Sequence, residues 1–113
     1  MRIYKIFRAA EWAALERDGT TDGAPVDLAD GYIHFSTASQ AAETAAKHFA
    51  GASGLVLAEL EAEALGEKLA WEPSRGGQLF PHLYRALART EVLRHWPLPL
   101  DAQGRHAFPE DMA

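Results

Sequence analysis

The segment Ile3-Tyr4-Lys5-Ile6-Phe7 sets the strongest constraint on the fold. Side chains alternate sides along an extended chain, so Ile3, Lys5 and Phe7 fall on one face and Tyr4 and Ile6 on the other, and β-branched and aromatic residues dominate both. A strand apolar on both faces is expected to be central, with packing layers above and below. Later elements must supply those layers.

The region 9–17 is Ala-rich, with Trp12 and Leu15 three apart and Glu16 four from Trp12, which predicts a short helix ended by Gly19. Residues 18–30 carry Gly19, Asp22, Gly23, Pro25, Asp27 and Asp30, so a loop is expected, with room for one helical turn at 26–29. A second strand is predicted over 32–35. Thr37 with Gln40 then forms a capping box opening a helix over 38–49, whose narrow apolar stripe is Ala42, Ala45, Ala46 and Phe49. A third strand follows at 55–61 and extended chain at 69–72, stopping at Pro73. Segment 79–84 is short, apolar and interrupted by Pro81; 85–90 reads as a helical turn and 92–96 as a last strand before Pro97 and Pro99.

No internal repeat, low-complexity run or linker interrupts the chain. One domain over 1–100 is expected, followed by an irregular tail over 101–113. The class is α+β, with a small antiparallel sheet and two main helices. The 113 residues suffice for one core, and with 48% apolar and 24% charged residues the composition is that of an ordinary globular protein.

Composition also narrows function. The absence of cysteine removes disulfide scaffolds, thiolate zinc sites and cysteine nucleophiles, and points to a reducing compartment. The opening residues contain no apolar signal region and no run approaches the roughly 18 apolar residues of a membrane span, so a cytoplasmic, non-membrane protein is expected. A net charge of −5 with scattered Lys and Arg gives little general attraction to polyphosphate. General nucleic-acid binding is not expected, whereas a local basic pocket for one small phosphate is compatible with the sequence.

Three segments concentrate chemistry. In GYIHFST, Tyr32, His34 and Ser36 share one strand face while Ile33 and Phe35 face the core, and Ser36 and Thr37 precede a helix whose free N–H groups favour an anion. The alternative is structural: Thr37 only caps, His34 is a hydrogen-bonded core histidine and Tyr32 packs. In WEPSRGGQ, Glu72 stands beside Trp71, Arg75 could clamp an anion, and Gly76 with Gly77 lets backbone approach a ligand. Equally, Trp71 belongs in a core and Glu72 pairs with Arg75 or Arg85. In FPHLYR, His82 and Tyr84 share a face, rigidly presented by Pro81, and suit a heteroaromatic ligand or simply a core edge. His48, His95 and His106 read as surface histidines.

Together, the strand Ile3 to Ile6, Gly31 to Thr37, Trp71 to Pro73 and Phe80 to Tyr84 resemble the pattern of a bacterial family catalogued as domain of unknown function 952, in family order across nearly the whole chain. The resemblance implies a small relative of the ADP-ribosyltransferase fold, in which a split antiparallel sheet holds a nicotinamide dinucleotide in a central cleft. It also implies that His34 hydrogen-bonds a nicotinamide ribose and that Tyr84 stacks. The glutamate those transferases carry on a late strand has no good match here; Glu72 is the nearest candidate, Glu91 a weaker one, and Glu59 and Glu61 come too early.

The leading expectation is therefore a small-molecule binding domain, with NAD as candidate cofactor and a dinucleotide-dependent transferase or glycohydrolase as candidate activity. His34, Ser36, Thr37, Tyr32, Arg75 and Tyr84 would bind, and Glu72 and His82 would be catalytic. A non-catalytic ligand- or protein-binding module is the alternative. A His and carboxylate metal site from His34, His82 and Glu72 is a third. All three require those groups to open onto one shared cavity.

Overall fold

The computed structural model of the protein describes residues 1–112, with the side chain of Arg75 outside that description. In chain order the elements are β1 (Arg2–Phe7), α1 (Ala9–Asp18), β2 (Thr20–Thr21), α2 (Pro25–Asp30), β3 (Ile33–His34), α3 (Ala38–His48), β4 (Leu55–Glu61), β5 (Leu69–Pro73), β6 (Leu79–Leu83), β7 (Leu87–Ala88) and β8 (Arg94–Leu98). Residues Ala62–Lys68 form two 3₁₀ turns joined across a kink at Gly66, and shorter 3₁₀ turns occupy Arg75–Gly77 and Arg89–Glu91. Among the described residues no helix is long and apolar enough to cross a membrane.

The strands form several small antiparallel sheets: β1-β4-β8, β3-β6-β5 and the two-stranded pair β2-β7. The first two meet at one bridge, where Tyr4 and Ser36 exchange reciprocal backbone hydrogen bonds of 2.8 Å each. β1 was expected at the centre of its sheet. It is instead an edge of three strands, and it stays buried because the Tyr4–Ser36 bridge closes its other side.

Alternation along β1 and β4 builds two cores from one layer. Ile3 and Phe7 join Ala58, Leu60, Trp12, Leu15, Ile33, Phe35 and Leu83 on one side. Tyr4 and Ile6 join Leu55, Leu57, Ala45 and Leu98 on the other. The register agrees, since Ile3 faces Leu60 and Ile6 faces Leu57 across the strands. α1 lies on the first core through Trp12 and Leu15 and ends at Gly19, whose φ of 76° lets its N–H reach the Leu15 carbonyl at 2.8 Å.

Several expectations are corrected. The buried face of α3 is Gln40, Ala41 and Ala45, with Ala42 and Ala46 exposed; the helix is rotated so that Gln40 can donate to the Leu79 carbonyl at 2.9 Å. The loop around residue 27 holds a full short helix, α2, with proline at its start, where a missing N–H costs nothing. Pro81 does not break β6; its carbonyl still accepts from Phe35 N–H at 3.0 Å. Residues 85–90 contain the short strand β7 before a 3₁₀ turn, and the last strand is shifted two residues to include Pro97, which an edge strand tolerates. Trp71 lies on edge strand β5 and is 37% exposed rather than in a core.

Candidate functional site

The register of the β3-β6-β5 sheet assembles the site. His34 stands directly opposite His82, and Glu72 opposite Phe80, so His34, His82, Phe80 and Glu72 share one face while Ile33 and Leu83 point to the first core. Ala70, opposite His82, carries only a methyl group, and over it Glu72 Oε1 reaches His82 Nδ1 at 2.8 Å. The Tyr84 hydroxyl donates to the same oxygen at 2.7 Å. With that hydroxyl and the His82 ring beside it, the Glu72 carboxyl titrates below its ordinary range, and the Tyr84 phenol is pushed up to about 12. Glu72 is thus ionised at neutral pH.

His34 is fixed by a second carboxylate. Its Nδ1 lies 2.6 Å from Asp27 Oδ1, its backbone N–H donates to the same oxygen at 3.1 Å, and its Nε2 lies 3.0 Å from Asp30 Oδ2. Asp27, 1% exposed, also accepts from Ala24 N–H at 2.8 Å and pairs with Lys5 Nζ at 3.0 Å. Lys5 in turn donates to the His34 carbonyl at 3.2 Å. Burial by itself would raise the Asp27 pKa, but the His34 hydrogen bond, the Lys5 charge and the Ala24 amide outweigh it and hold it at about 2. Backbone geometry supports this hub: Gly23, at φ 110°, passes so close that a Cβ there would lie 2.5 Å from Asp27 Cβ.

Tyr32 roofs the pair. Its ring centroid is 4.1 Å from that of His82, 4.7 Å from His34 and 5.2 Å from Tyr84, while the two imidazoles meet edge-on at 5.3 Å. Burial, then the Asp30 and Glu72 charges, raise the Tyr32 pKa and keep its phenol neutral. Beside these rings lies a cavity of about 630 Å³, bordered by His34, His82, Lys5, Ser36 and Thr44 and, around the Arg8–Phe49 contact, by Arg8, His48 and Phe49. Ser36 is buried, its hydroxyl 2.9 Å from that of Thr44.

The residues singled out from sequence therefore divide. His34, Ser36 and His82 border the cavity; Tyr32, Glu72 and Tyr84 adjoin it as a hydrogen-bonded and stacked cluster behind His82. Thr37 is separate. It closes the start of α3, where its N–H donates to Gln40 Oε1 at 3.0 Å, and it borders a second depression with Met1 and Leu79. The Arg75 side chain lies outside the described residues. Arg85, a suggested partner of Glu72, pairs with Glu91 at 2.7 Å instead. Of the three outlying histidines, His48 is exposed but borders the cavity, His95 lies 4.6 Å from the Trp12 ring, and half-buried His106 contacts the Ala52 carbonyl at 2.8 Å.

Sequence reasoning missed Lys5, Asp27 and Asp30. A signal existed for the first: a lysine on an otherwise apolar strand face must be either exposed or paired. Asp27 and Asp30 lay in a stretch read as turn chemistry, and only the three-dimensional return of α2 onto β3 reveals them. Among the described residues no group of three or more His, Cys, Asp or Glu side chains is placed to hold a metal ion. His34, His82 and Glu72 do not converge on a common point, since His34 engages Asp27 and Asp30 whereas His82 engages Glu72.

Known proteins of the same shape exist. The crystal structure of protein CC0527 from Caulobacter crescentus is similar at 55% identity and a TM-score of 0.91, over 95% of this chain and 94% of that one. A double mutant of that protein gives 53% identity and the same TM-score over the same shares. Its solution NMR structure gives 57% identity and a TM-score of 0.83, over 92% of this chain and 90% of that one. No curated protein matches. The family model described as protein of unknown function (DUF952) matches residues 6–95, a span that takes in every strand of the histidine cleft, and the chain belongs to that family.

Proposed function

We propose that this chain is a small-molecule binding domain of ADP-ribosyltransferase-like type, whose histidine cleft takes NAD or a related nucleotide. The observation that carries the reading is the cross-strand pair His34 and His82, roofed by the Tyr32 ring and opening on a cavity of about 630 Å³. A cavity of this size with an apolar majority and a few converging polar groups is the usual form of a ligand site. Tyr32 and Tyr84 stand outside the cavity wall, Tyr32 packed on His82 and Tyr84 tied to Glu72, so both serve to orient the histidine cluster.

In a glycosyl-transfer mechanism, His34 and Ser36 hold the ribose or phosphate. The ionised Glu72 opposes positive charge that develops at the anomeric carbon as the bond to the leaving base breaks. His82, oriented through Nδ1 by Glu72, takes the proton of the incoming hydroxyl or water. The test is direct. NAD is expected to raise the Tm of the purified protein by several degrees, His34→Ala and His82→Ala to abolish that rise, and the wild type to release nicotinamide. Absence of both binding and release, with His34→Ala changing stability alone, would end the proposal.

One observation favours a second reading, binding without turnover. Glu72 is absent from the cavity wall and is engaged from behind by Tyr84. NAD binding with no nicotinamide released, unaffected by Glu72→Gln, selects that reading over the first.

A further inference from the structure

The cavity has a second end that the histidine chemistry does not use. There Arg8, just before α1, meets Phe49, just past α3, and Arg8, Glu11, His48 and Phe49 form the wall. Arg2, Arg17, Arg85, Arg89 and Arg94 each meet a carboxylate at 2.7 to 3.6 Å. Arg8 does not. Its guanidinium carbon lies 4.8 Å from the centroid of the Phe49 ring, and among the described residues it forms no ion pair. The carboxylate closest in sequence, Glu11, directs Oε1 to the Arg8 backbone N–H at 2.9 Å.

A guanidinium held against an aromatic face keeps its in-plane N–H edge open, and that edge matches the spacing of two oxygens on phosphate or carboxylate. The stacking also fixes the side chain beforehand, which lowers the entropy lost on binding. At the opposite end Lys5 is already paired with Asp27, and the His34 ring nitrogens are taken up by Asp27 and Asp30. The cavity is too large for one ring alone, since volumes of roughly 300 to 1,000 Å³ hold drug-sized molecules. We propose that the Arg8–Phe49 end is an anion subsite, which makes the ligand an elongated molecule with a planar ring at the histidine end and a compact phosphate or carboxylate group at Arg8. This inference rests on the small-molecule reading above and narrows it to acidic ligands.

The test uses the full chain labelled with ¹⁵N and titrated at constant ionic strength with inorganic pyrophosphate and, separately, with malonate. Saturable shifts of the Arg8 side-chain N–H and of the neighbouring 44–49 amides are expected with at least one of them, and the tighter of the two distinguishes a phosphate from a carboxylate ligand. Arg8→Ala is expected to weaken binding at least tenfold, and Glu11→Gln to strengthen it severalfold by removing the facing negative charge. Arg105→Ala, at a tail arginine with no ion pair among the described residues, is expected to stay within twofold of wild type. The proposal is overturned if neither anion moves the Arg8 resonance, or if Arg8→Ala, with an otherwise native spectrum, binds as well as wild type. The two readings fail separately: pyrophosphate bound at Arg8 with no response to NAD removes the nucleotide assignment only, and NAD bound at His34 and His82 with no anion at Arg8 removes the subsite only.

Discussion

Asp27 is the residue on which most of the site depends. It accepts from two backbone amides, from the His34 ring and from Lys5, while almost fully removed from water. Removing one partner of a buried ion pair leaves the other charge desolvated, at a cost of about 3 kcal/mol or more. Lys5→Met and Asp27→Asn are each expected to destabilise by that amount, and the double variant by clearly less than the sum, as chemical denaturation of the four proteins will read. The pH dependence follows from the same carboxylate. Its folded pKa of about 2 lies below the ordinary 3.8, so its contribution is complete above about pH 5 and is lost as pH falls through the folded pKa. That contribution is about 2 kcal/mol, and Asp27→Asn should flatten the acid limb of the stability curve accordingly.

At the scale of elements, the sequence was most legible where the argument was local. Period-two alternation put Ile33 and Phe35 in the core and His34 on the opposite face, and it put His82 and Tyr84 together, because strand geometry fixes sidedness residue by residue. The Thr37–Gln40 capping box and the Gly19 stop are equally local. Legibility failed where a neighbour decides. Whether Trp71 is buried depends on β5 being an edge strand, and the rotation of α3 depends on a carbonyl at Leu79, neither of which is encoded nearby. The contrast is measurable. Trp71→Ala is expected to cost under about 1 kcal/mol, whereas Trp12→Ala, buried against Phe7 at 5.4 Å, should cost about 3 to 5 kcal/mol by the same denaturation measurement.

The whole molecule is a layer with a core on each side, and the two cores are finished differently. The first is closed by α1 and Leu65, the second by α3 and by Phe108 and Met112 from the stretch past the last strand. That stretch is also held by Arg94, which bridges Asp111 at 2.9 Å and the buried Glu59 at 2.9 Å. Its lack of periodicity hid this packing, since isolated anchors leave no repeating signal. Deleting residues 102–113 should therefore lower stability by about 2 to 4 kcal/mol, the value of two partly buried apolar side chains and their contacts, and should lower Tm in a thermal melt.

The bridge between Tyr4 and Ser36 has a mechanical consequence. The two halves of the layer are joined there by only one residue pair of backbone bonds, and what holds them in line is side-chain packing: Ile3 and Phe7 share a core with Ile33 and Leu83, and Lys5 reaches across to Asp27 and the His34 carbonyl. His34 and His82 ride on one half, and the wall at Arg8 follows directly from the strand of the other. The span a guest molecule meets is thereby set by the Lys5 contacts, which fasten the strand leading to Arg8 to the one carrying His34.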